Sequence, residues 1–228
     1  MRDDNPDFGT ADSLITIDID AITGNWRMLD SRNGDATETA AVVKADGYGL
    51  GAAMLAPRLA DAGCRTFFVM SLAEAVTIRR ALNDAGYAET CVFSLSGCHP
   101  GQEDDFLAFR INPVINSIEQ LRRLAATGRG WDAAIHVDTG MTRLGLDQRE
   151  LDTLKTMMED AGKDGDNPLG AINPCLLMSH LTASEDPHDD ASARQLAAFT
   201  KLRELFPGIP ASLGNSGGTL LGGDYRFD

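Results

Sequence analysis

The sequence predicts an α/β fold, namely a TIM-type (β/α)8 barrel that stops before its eighth strand and fills residues 1–228 as one domain. Three observations support this prediction. Short apolar runs alternate with helical patterns, which is typical of βα units in a parallel sheet. Most runs are apolar on both faces, as strands covered by helices must be. Polar residues close five of the seven runs, and in a barrel those ends converge on the mouth that holds the active site.

The strands follow from seven apolar runs, at residues 40–44, 66–70, 90–95, 110–116, 132–138, 174–180 and 210–215. The polar residues at the run ends are Lys44, Asn116, Asp138, His180 and Asn215. An open, doubly wound sheet would show the same alternation of strands and helices. That alternative lacks its main evidence, because no GxGxxG motif follows the first run.

The helices between these strands are predicted from their capping residues. Four of them begin at a Ser or Asp that has Glu or Gln three residues later, which is the spacing of a capping box. The predicted starts are Ser71, Ser117, Asp147 and Ser192, with Glu74, Gln120, Glu150 and Gln195 as the paired residues. The expected ends are Gly86, Gly128, Gly162 and Pro207. An earlier helix is predicted over roughly residues 21–31.

The composition argues against several classes of protein. With a net charge of −14 the chain should repel phosphate backbones, so a nucleic-acid partner is not expected. No apolar run is long enough to cross a bilayer, and the polar N-terminus is unlike a signal peptide. The four cysteines form no CxxC pair, which argues against a metal site or a disulfide framework and favours the reducing cytoplasm.

One segment carries a candidate reactive group. Residues 41–51 form an apolar strand that delivers Lys44 at its tip into a glycine-rich turn. A neutral lysine amine is the group that Schiff-base chemistry requires, and an apolar setting at a strand tip suits that form. Spacing alone nevertheless favours a structural interpretation, in which Lys44 extends its charged end from the strand into solvent.

Four stretches together resemble the alanine racemase family, whose enzymes use pyridoxal phosphate. The stretch AVVKADGYGLGA around Lys44 is similar to the motif of the cofactor-binding lysine. HVDTGMTRLG around Arg143, MSHLTASED around His180 and SLGNSGG around Asn215 resemble further motifs in the family's order. A single short motif would be a weak indication, whereas four in order, from near the start to the end of the chain, identify the family.

The resemblance implies that Lys44, Arg143 and His180 are the catalytic residues. Lys44 would hold the cofactor as an aldimine and act as one of two acid–base groups at the substrate Cα. Arg143 would bond the phenolic oxygen of the cofactor and the substrate carboxylate region, and His180 would lie against the pyridine ring. From the residues alone, His180 could equally be a core histidine.

Tyr48, Asn215 and Ser216 complete the implied cofactor-binding set. Tyr48 and Ser216 would bind the cofactor phosphate, and Asn215 would brace the site. The position of Asn215 and Ser216 after the seventh run suits this role, because phosphate sites of barrels commonly follow strands seven and eight. From the residues alone, Tyr48 could instead be a packing residue and Asn215 a turn residue.

The activity that the resemblance implies is racemisation of L-alanine and D-alanine by a two-base mechanism, in the cytoplasm and toward peptidoglycan precursors. The substrate would be a small amino acid, and the complete protein would be a homodimer. Two alternatives stay open. One is a non-catalytic barrel that binds pyridoxal phosphate. The other is a different Schiff-base enzyme, such as a related pyridoxal phosphate-dependent decarboxylase or a cofactor-free aldolase.

The chain ends at Asp228 after seven predicted strands, which departs from the family pattern. We therefore expect it to lack the eighth strand and the C-terminal β domain of the family. The resemblance also implies that a tyrosine of that domain, from the partner subunit, serves as the second base. Tyr48, Tyr87 and Tyr225 do not match that tyrosine, so we expect this chain to lack the second base.

His136 is a second departure from the family pattern. It stands where many members have a lysine, sometimes carbamylated, whose negative charge orients the active-site arginine. A histidine cannot carry a carbamate in the same way. Asp138 is a candidate to hold Arg143 in its place.

Overall fold

A computed structural model describes residues 13, 15–164, 169 and 172–228, with the backbone alone over residues 161–164. The described chain contains a seven-stranded sheet in which each strand pairs in parallel with the next along the chain. The strands are Ala41–Val42 (β1), Thr66–Val69 (β2), Cys91–Ser94 (β3), Asn112–Ile115 (β4), Trp131–His136 (β5), Ile172–Met178 (β6) and Ala211–Ser212 (β7). Each strand overlaps a predicted run, so the predicted parallel sheet of a TIM-type barrel is confirmed.

Helices lie between successive strands, as a barrel of βα units requires. The helices are Ile19–Asn33 (α1), Lys44–Tyr48 (α2), Ala52–Ala62 (α3), Leu72–Asp84 (α4), Glu103–Ala108 (α5), Ile118–Ala126 (α6), Gln148–Asp164 (α7), Ala191–Arg203 (α8) and Ser216–Leu221 (α9), followed by the 3-10 helix Gly223–Tyr225. The early helix predicted over residues 21–31 lies inside α1. Among the helices described, none has the length and apolar character needed to cross a membrane.

Buried residues form two layers, one on each face of the sheet. In β2, Phe67 and Val69 belong to the larger layer, which lies between the sheet and the helices. Phe68 points the other way, to the face of the sheet opposite the helices. Its ring stacks there on Phe93, with the centroids 5.0 Å apart. Because both faces of the sheet are covered, the strand sequences are apolar on both faces.

Three of the four predicted helix starts are confirmed. The side chains of Ser71, Ser117 and Asp147 each accept the backbone N–H three residues later, at 3.4, 3.2 and 2.8 Å. The predicted start at Ser192 is wrong, because the residue that precedes α8 is Asp190. Ser192 is buried instead, and its hydroxyl has no hydrogen-bond partner in the described part of the chain.

The predicted helix ends are right at two glycines and wrong at a third. Gly86 and Gly128 follow the ends of α4 and α6 and adopt positive φ angles of 85° and 64°. The predicted end at Gly162 is wrong, because α7 continues to Asp164. A single glycine costs a helix about 1 kcal/mol relative to alanine, which does not by itself end a long helix.

Residues 226–228 run beside β7 after the 3-10 helix. The backbone N–H of Asp228 donates to Ala211 O at 3.1 Å, and Thr37 Oγ1 donates to Phe227 O at 2.6 Å. The Phe227 ring packs edge-on against Phe199, with the centroids 5.2 Å apart. This segment therefore lies between β7 and the stretch before β1, where an eighth barrel strand would pair.

Candidate active site

A cavity of about 610 Å³ opens where β1, β5, β6 and β7 end. Its wall includes every site residue that the sequence predicts, namely Lys44, Tyr48, Arg143, His180, Asn215 and Ser216. His136 and Glu185 line the same cavity. Residues from four separate motifs thus meet in one place because the carboxyl ends of parallel strands share one edge of the sheet.

Lys44 begins a short left-handed turn, which follows β1. Ala45, Asp46 and Tyr48 have φ angles of 52°, 52° and 57°, and Gly47 has 66°. A left-handed conformation costs a non-glycine residue roughly 1–2 kcal/mol, so the surrounding contacts must hold this turn in place. A Cβ on Gly47 would lie 3.0 Å from Leu55 Cδ1, which shows how closely the turn packs on α3. The turn places Lys44 and Tyr48 on the same cavity, with Tyr48 63% exposed.

His180 follows β6 and is held through its backbone by a buried glutamine. Gln195 Nε2 donates to His180 O at 2.8 Å, and Gln195 Oε1 accepts the N–H of Thr182 at 2.8 Å. Gln195 is 2% exposed and also donates to Thr139 Oγ1 at 3.2 Å. The predicted capping role of Gln195 is therefore wrong: its side chain fixes the loop of His180 instead.

The imidazole of His180 is in an environment that favours its neutral form. Burial is the largest cause that lowers the pKa of His180, and the positive charges of Arg143 and Lys44 lower this pKa further. Glu185 acts in the opposite direction. A neutral ring at this position can lie against a flat aromatic ligand without adding a third positive charge to the cavity.

Asn215 braces the loop between β7 and α9. Its Oδ1 accepts the N–H of Gly218 at 2.9 Å, which caps α9, and it also accepts the hydroxyl of Ser184 at 2.7 Å. A Cβ on Gly217 would lie 2.7 Å from Ser184 Oγ and 2.9 Å from the backbone Ser184 O, so a larger residue there would force the two loops apart. These contacts lock the β7 loop to the β6 loop and leave Ser216 exposed on the cavity wall.

His136 is a buried neutral histidine at the end of β5. Its Nδ1 lies 2.8 Å from Asn116 Oδ1. The Asn116 amide donates to Leu95 O at 2.8 Å and Val114 O at 3.0 Å, which fixes its oxygen toward the imidazole. Nδ1 therefore carries the proton and Nε2 is left as an acceptor. Burial lowers the pKa of His136 to about 4, and the nearby His180 adds to this effect.

Asp138 contacts the backbone of the loop that leads to Arg143. Its carboxylate accepts the N–H of Gly140 at 2.9 Å and the N–H of Thr142 at 3.0 Å. No ion pair between Asp138 and Arg143 is present in the described part of the chain. Asp138 thus shapes the loop that carries Arg143 through backbone hydrogen bonds, without an ion pair to the guanidinium.

Charged groups of both signs line the cavity of this chain, whose net charge is −14. Lys44 and Arg143 supply positive charge, Glu38 and Glu185 supply negative charge, and Tyr48 and Ser216 add hydroxyl groups. The two cations and the hydroxyl donors can bind the anionic groups of a small molecule.

Comparison with known proteins identifies similar chains among bacterial enzymes. Residues 17–228 match the family described as alanine racemase, N-terminal domain. The chain is 44% identical over 218 residues to an alanine racemase of Methylobacterium nodulans, covering 94% of this chain and 55% of that protein. It is 41% identical over 227 residues to an alanine racemase of Rhizobium meliloti, covering 98% and 56%. The chain therefore spans about half the length of these curated relatives.

Solved structures give the same result. The alanine racemase of Bartonella henselae with covalently bound pyridoxal phosphate superposes with a TM-score of 0.81 at 35% identity, covering 93% of this chain and 59% of that one. The biosynthetic alanine racemase of Pseudomonas aeruginosa superposes with a TM-score of 0.76 at 27% identity, covering 93% and 56%.

Proposed function

The chain belongs to the alanine racemase family through its N-terminal domain, and we propose that it forms the cofactor-binding barrel of an enzyme that interconverts L-alanine and D-alanine with pyridoxal phosphate. One observation carries this proposal. The six residues that match the family's motifs come from distant parts of the chain and line one cavity. Relatives at 41–44% identity over nearly the whole chain are alanine racemases, which supports the same reaction.

The residues of the cavity fit pyridoxal phosphate. The cavity of about 610 Å³ lies within the range of roughly 300–1,000 Å³ that is usual for small-ligand sites. The Lys44 amine is available on its wall for covalent attachment. Tyr48 and Ser216 offer hydroxyl donors for a phosphate, and Arg143 offers a guanidinium for an anionic oxygen. His180, favoured in its neutral form, suits the face of an aromatic ring.

Five of the predicted site residues have proposed tasks beside the ring-facing His180. Pyridoxal phosphate, when bound, withdraws electrons from the substrate Cα and makes its proton acidic. Lys44 anchors the cofactor and moves the Cα proton on one face. Arg143 binds the phenolic oxygen of the cofactor and the substrate carboxylate. Tyr48 and Ser216 hold the phosphate, and Asn215 keeps the Ser216 loop in place.

The second acid–base group is proposed to come from the partner subunit of a homodimer. Racemisation requires proton transfer on both faces of Cα, and Lys44 serves one face. Among the described tyrosines, Tyr48 alone lines the cavity, and it lies on the same turn as Lys44. The Tyr87 hydroxyl instead bonds Asp61, away from the cavity. The described tyrosines therefore offer no second base opposite Lys44, which is what the proposal requires of this part of the protein.

We further propose that the enzyme works in the cytoplasm and supplies D-alanine for peptidoglycan precursors. Bacterial relatives named alanine racemase support the formation of D-alanine in this proposal. The thiols of Cys64, Cys91, Cys98 and Cys175 are all free, which fits a reducing compartment.

Borohydride reduction with pyridoxal phosphate, followed by peptide mapping, tests the site. We expect added mass at Lys44, no addition in Lys44→Ala, and unchanged addition in Lys201→Ala, which alters an exposed lysine on α8. D-alanine formation from L-alanine is then measured on the protein expressed from its full reading frame. Addition at Lys44 without racemisation would favour the non-catalytic barrel, and release of carbon dioxide would favour the decarboxylase. Specific addition at another lysine would overturn the site.

A further inference from the structure

The carboxylate of Glu74 joins the Lys44 turn to the end of β2. Glu74 Oε1 accepts the N–H of Ala45 at 3.0 Å, and Glu74 Oε2 accepts the N–H of Met70 at 2.7 Å. Glu74 lies in the first turn of α4 and does not belong to the predicted site. We propose that Glu74 is a positioning residue that clamps the backbone beside Lys44 and so fixes the direction of the lysine side chain. This inference rests on the proposed function of Lys44.

The backbone on both sides of Lys44 is tied to the same neighbouring unit. The N–H of Val43, before the lysine, donates to Phe68 O in β2 at 2.9 Å. The N–H of Ala45, after the lysine, donates to Glu74. Lys44 is therefore held between a strand bond on one side and the Glu74 carboxylate on the other.

The clamp acts where the backbone is least favourable. Ala45 is the first residue of the turn with a positive φ angle, so it begins the change from strand to left-handed conformation. The far end of the turn is tied separately, since Asp46 Oδ1 accepts the N–H of Ala52 at 2.8 Å. Loss of Glu74 would remove the bond at the N–H of Ala45, directly after Lys44, while the strand bond of Val43 and the bond of Asp46 stay in place.

The chemistry of the side chain at position 74 matches its two partners. Both partners are N–H groups, so both oxygens of the side chain must accept. Glutamine at this position would offer one acceptor and set an NH2 group against the second N–H. The change from Glu to Gln keeps the size of the side chain and breaks one half of the clamp.

Glu150 provides a matched control three helices further along, in α7. Its Oε1 accepts a single N–H, that of Ile118, at 2.9 Å. Gln at position 150 can still accept that bond. Neither Glu150 nor Ile118 lines the cavity.

The experiment compares the parent protein with E74Q and E150Q. We expect E74Q to release pyridoxal phosphate on the order of tenfold faster, since one bond to a charged acceptor is lost and an NH2 group is set against that N–H. Amide exchange at Ala45 or Met70, whichever N–H faces the NH2 group, should rise by a similar factor, also in the cofactor-free protein. E150Q should match the parent in both measurements. If E74Q does not fold, we measure E74A in its place, because alanine sets no NH2 group against the backbone N–H groups.

Equal release rates and equal exchange in E74Q and the parent would overturn the proposal. A rise in exchange throughout E74Q, together with retained cofactor, would show a merely structural role and overturn it too. A parent protein that takes up no pyridoxal phosphate would contradict the proposed function instead. The exchange comparison on the cofactor-free protein then still decides whether Glu74 fixes the Lys44 turn.

Discussion

His136 should make the stability of the protein depend on pH. In the folded chain its pKa is lowered to about 4, because burial disfavours the charged ring and both His180 and Arg143 add to this effect, against Asp138. In the unfolded chain the pKa returns to about 6.5. Between these values the unfolded state binds more protons, so the free energy of unfolding rises with pH.

The size of the effect follows from the difference between the two pKa values. About 2.5 pKa units correspond to roughly 3 kcal/mol. Above about pH 6.5 the ring is neutral in both states and the free energy of unfolding has its full value. As the pH falls toward about 4, the unfolded state takes up a proton first, and the free energy of unfolding decreases by about that amount. The expected loss is a large part of the 5–15 kcal/mol that stabilises a typical domain, so it is within the reach of equilibrium unfolding.

Urea unfolding of the parent and of His136→Asn, between about pH 4 and pH 7, measures this pH dependence. The amide nitrogen of asparagine can take the place of His136 Nδ1, which lies 2.8 Å from Asn116 Oδ1, but it cannot titrate. Carboxylates and the other histidines titrate in both proteins, so the difference between the two curves isolates His136. Curves that stay parallel over the whole range would refute the reasoning.

Two further changes test the packing around the cavity. Gly217→Ala should destabilise the protein by about 1–3 kcal/mol, since its Cβ would lie 2.7 Å from Ser184 Oγ. Gly24→Ala, with open space around it on α1, should instead stabilise by about 0.5–1 kcal/mol in the same urea titration, and equal effects of the two would contradict this reasoning. Gln195→Leu should cost at least about 2 kcal/mol, because the N–H of Thr182 and His180 O lose their partner. The control Gln148→Leu, exposed at the start of α7, should change the unfolding free energy by less than about 0.5 kcal/mol.

The strands are predictable because each buried strand has an apolar sequence that can be recognised on its own. Phe67 and Phe68 face opposite layers, so β2 is apolar at consecutive positions whatever its neighbours are. Two helices, α3 and α5, have weaker signals. Pro57 lies inside α3, and α5 has three acidic residues in its first turn and only six residues in all. Short helices depend on tertiary packing more than on propensity, so a single sequence indicates them poorly.

The site residues are predictable from position, whereas their supports are not. Lys44, His180 and Asn215 end apolar runs, and the barrel brings such ends together. Gln195 and Glu74 show only the spacing of capping residues. Their side chains bond loops 13 and 29 residues away, at Thr182 and Ala45, and nothing in the local pattern carries that information.

The choice between Glu and Gln near these helix starts does follow the chemistry of the partners. Glu74 meets two N–H groups, so it needs two acceptors. Gln120 accepts the N–H of Asn116 at 2.8 Å and donates to Ser96 O at 3.1 Å, so it needs one acceptor and one donor. Gln195 likewise accepts one N–H and donates to a carbonyl. Glu and Gln are nearly equal in size. Exchanging one for the other at these buried or half-buried positions would nevertheless set a donor against a donor or an acceptor against an acceptor. These hydrogen bonds each fix a loop around the cavity to a helix. The identity of these residues therefore helps determine the geometry of the cavity and not only the stability of the helix.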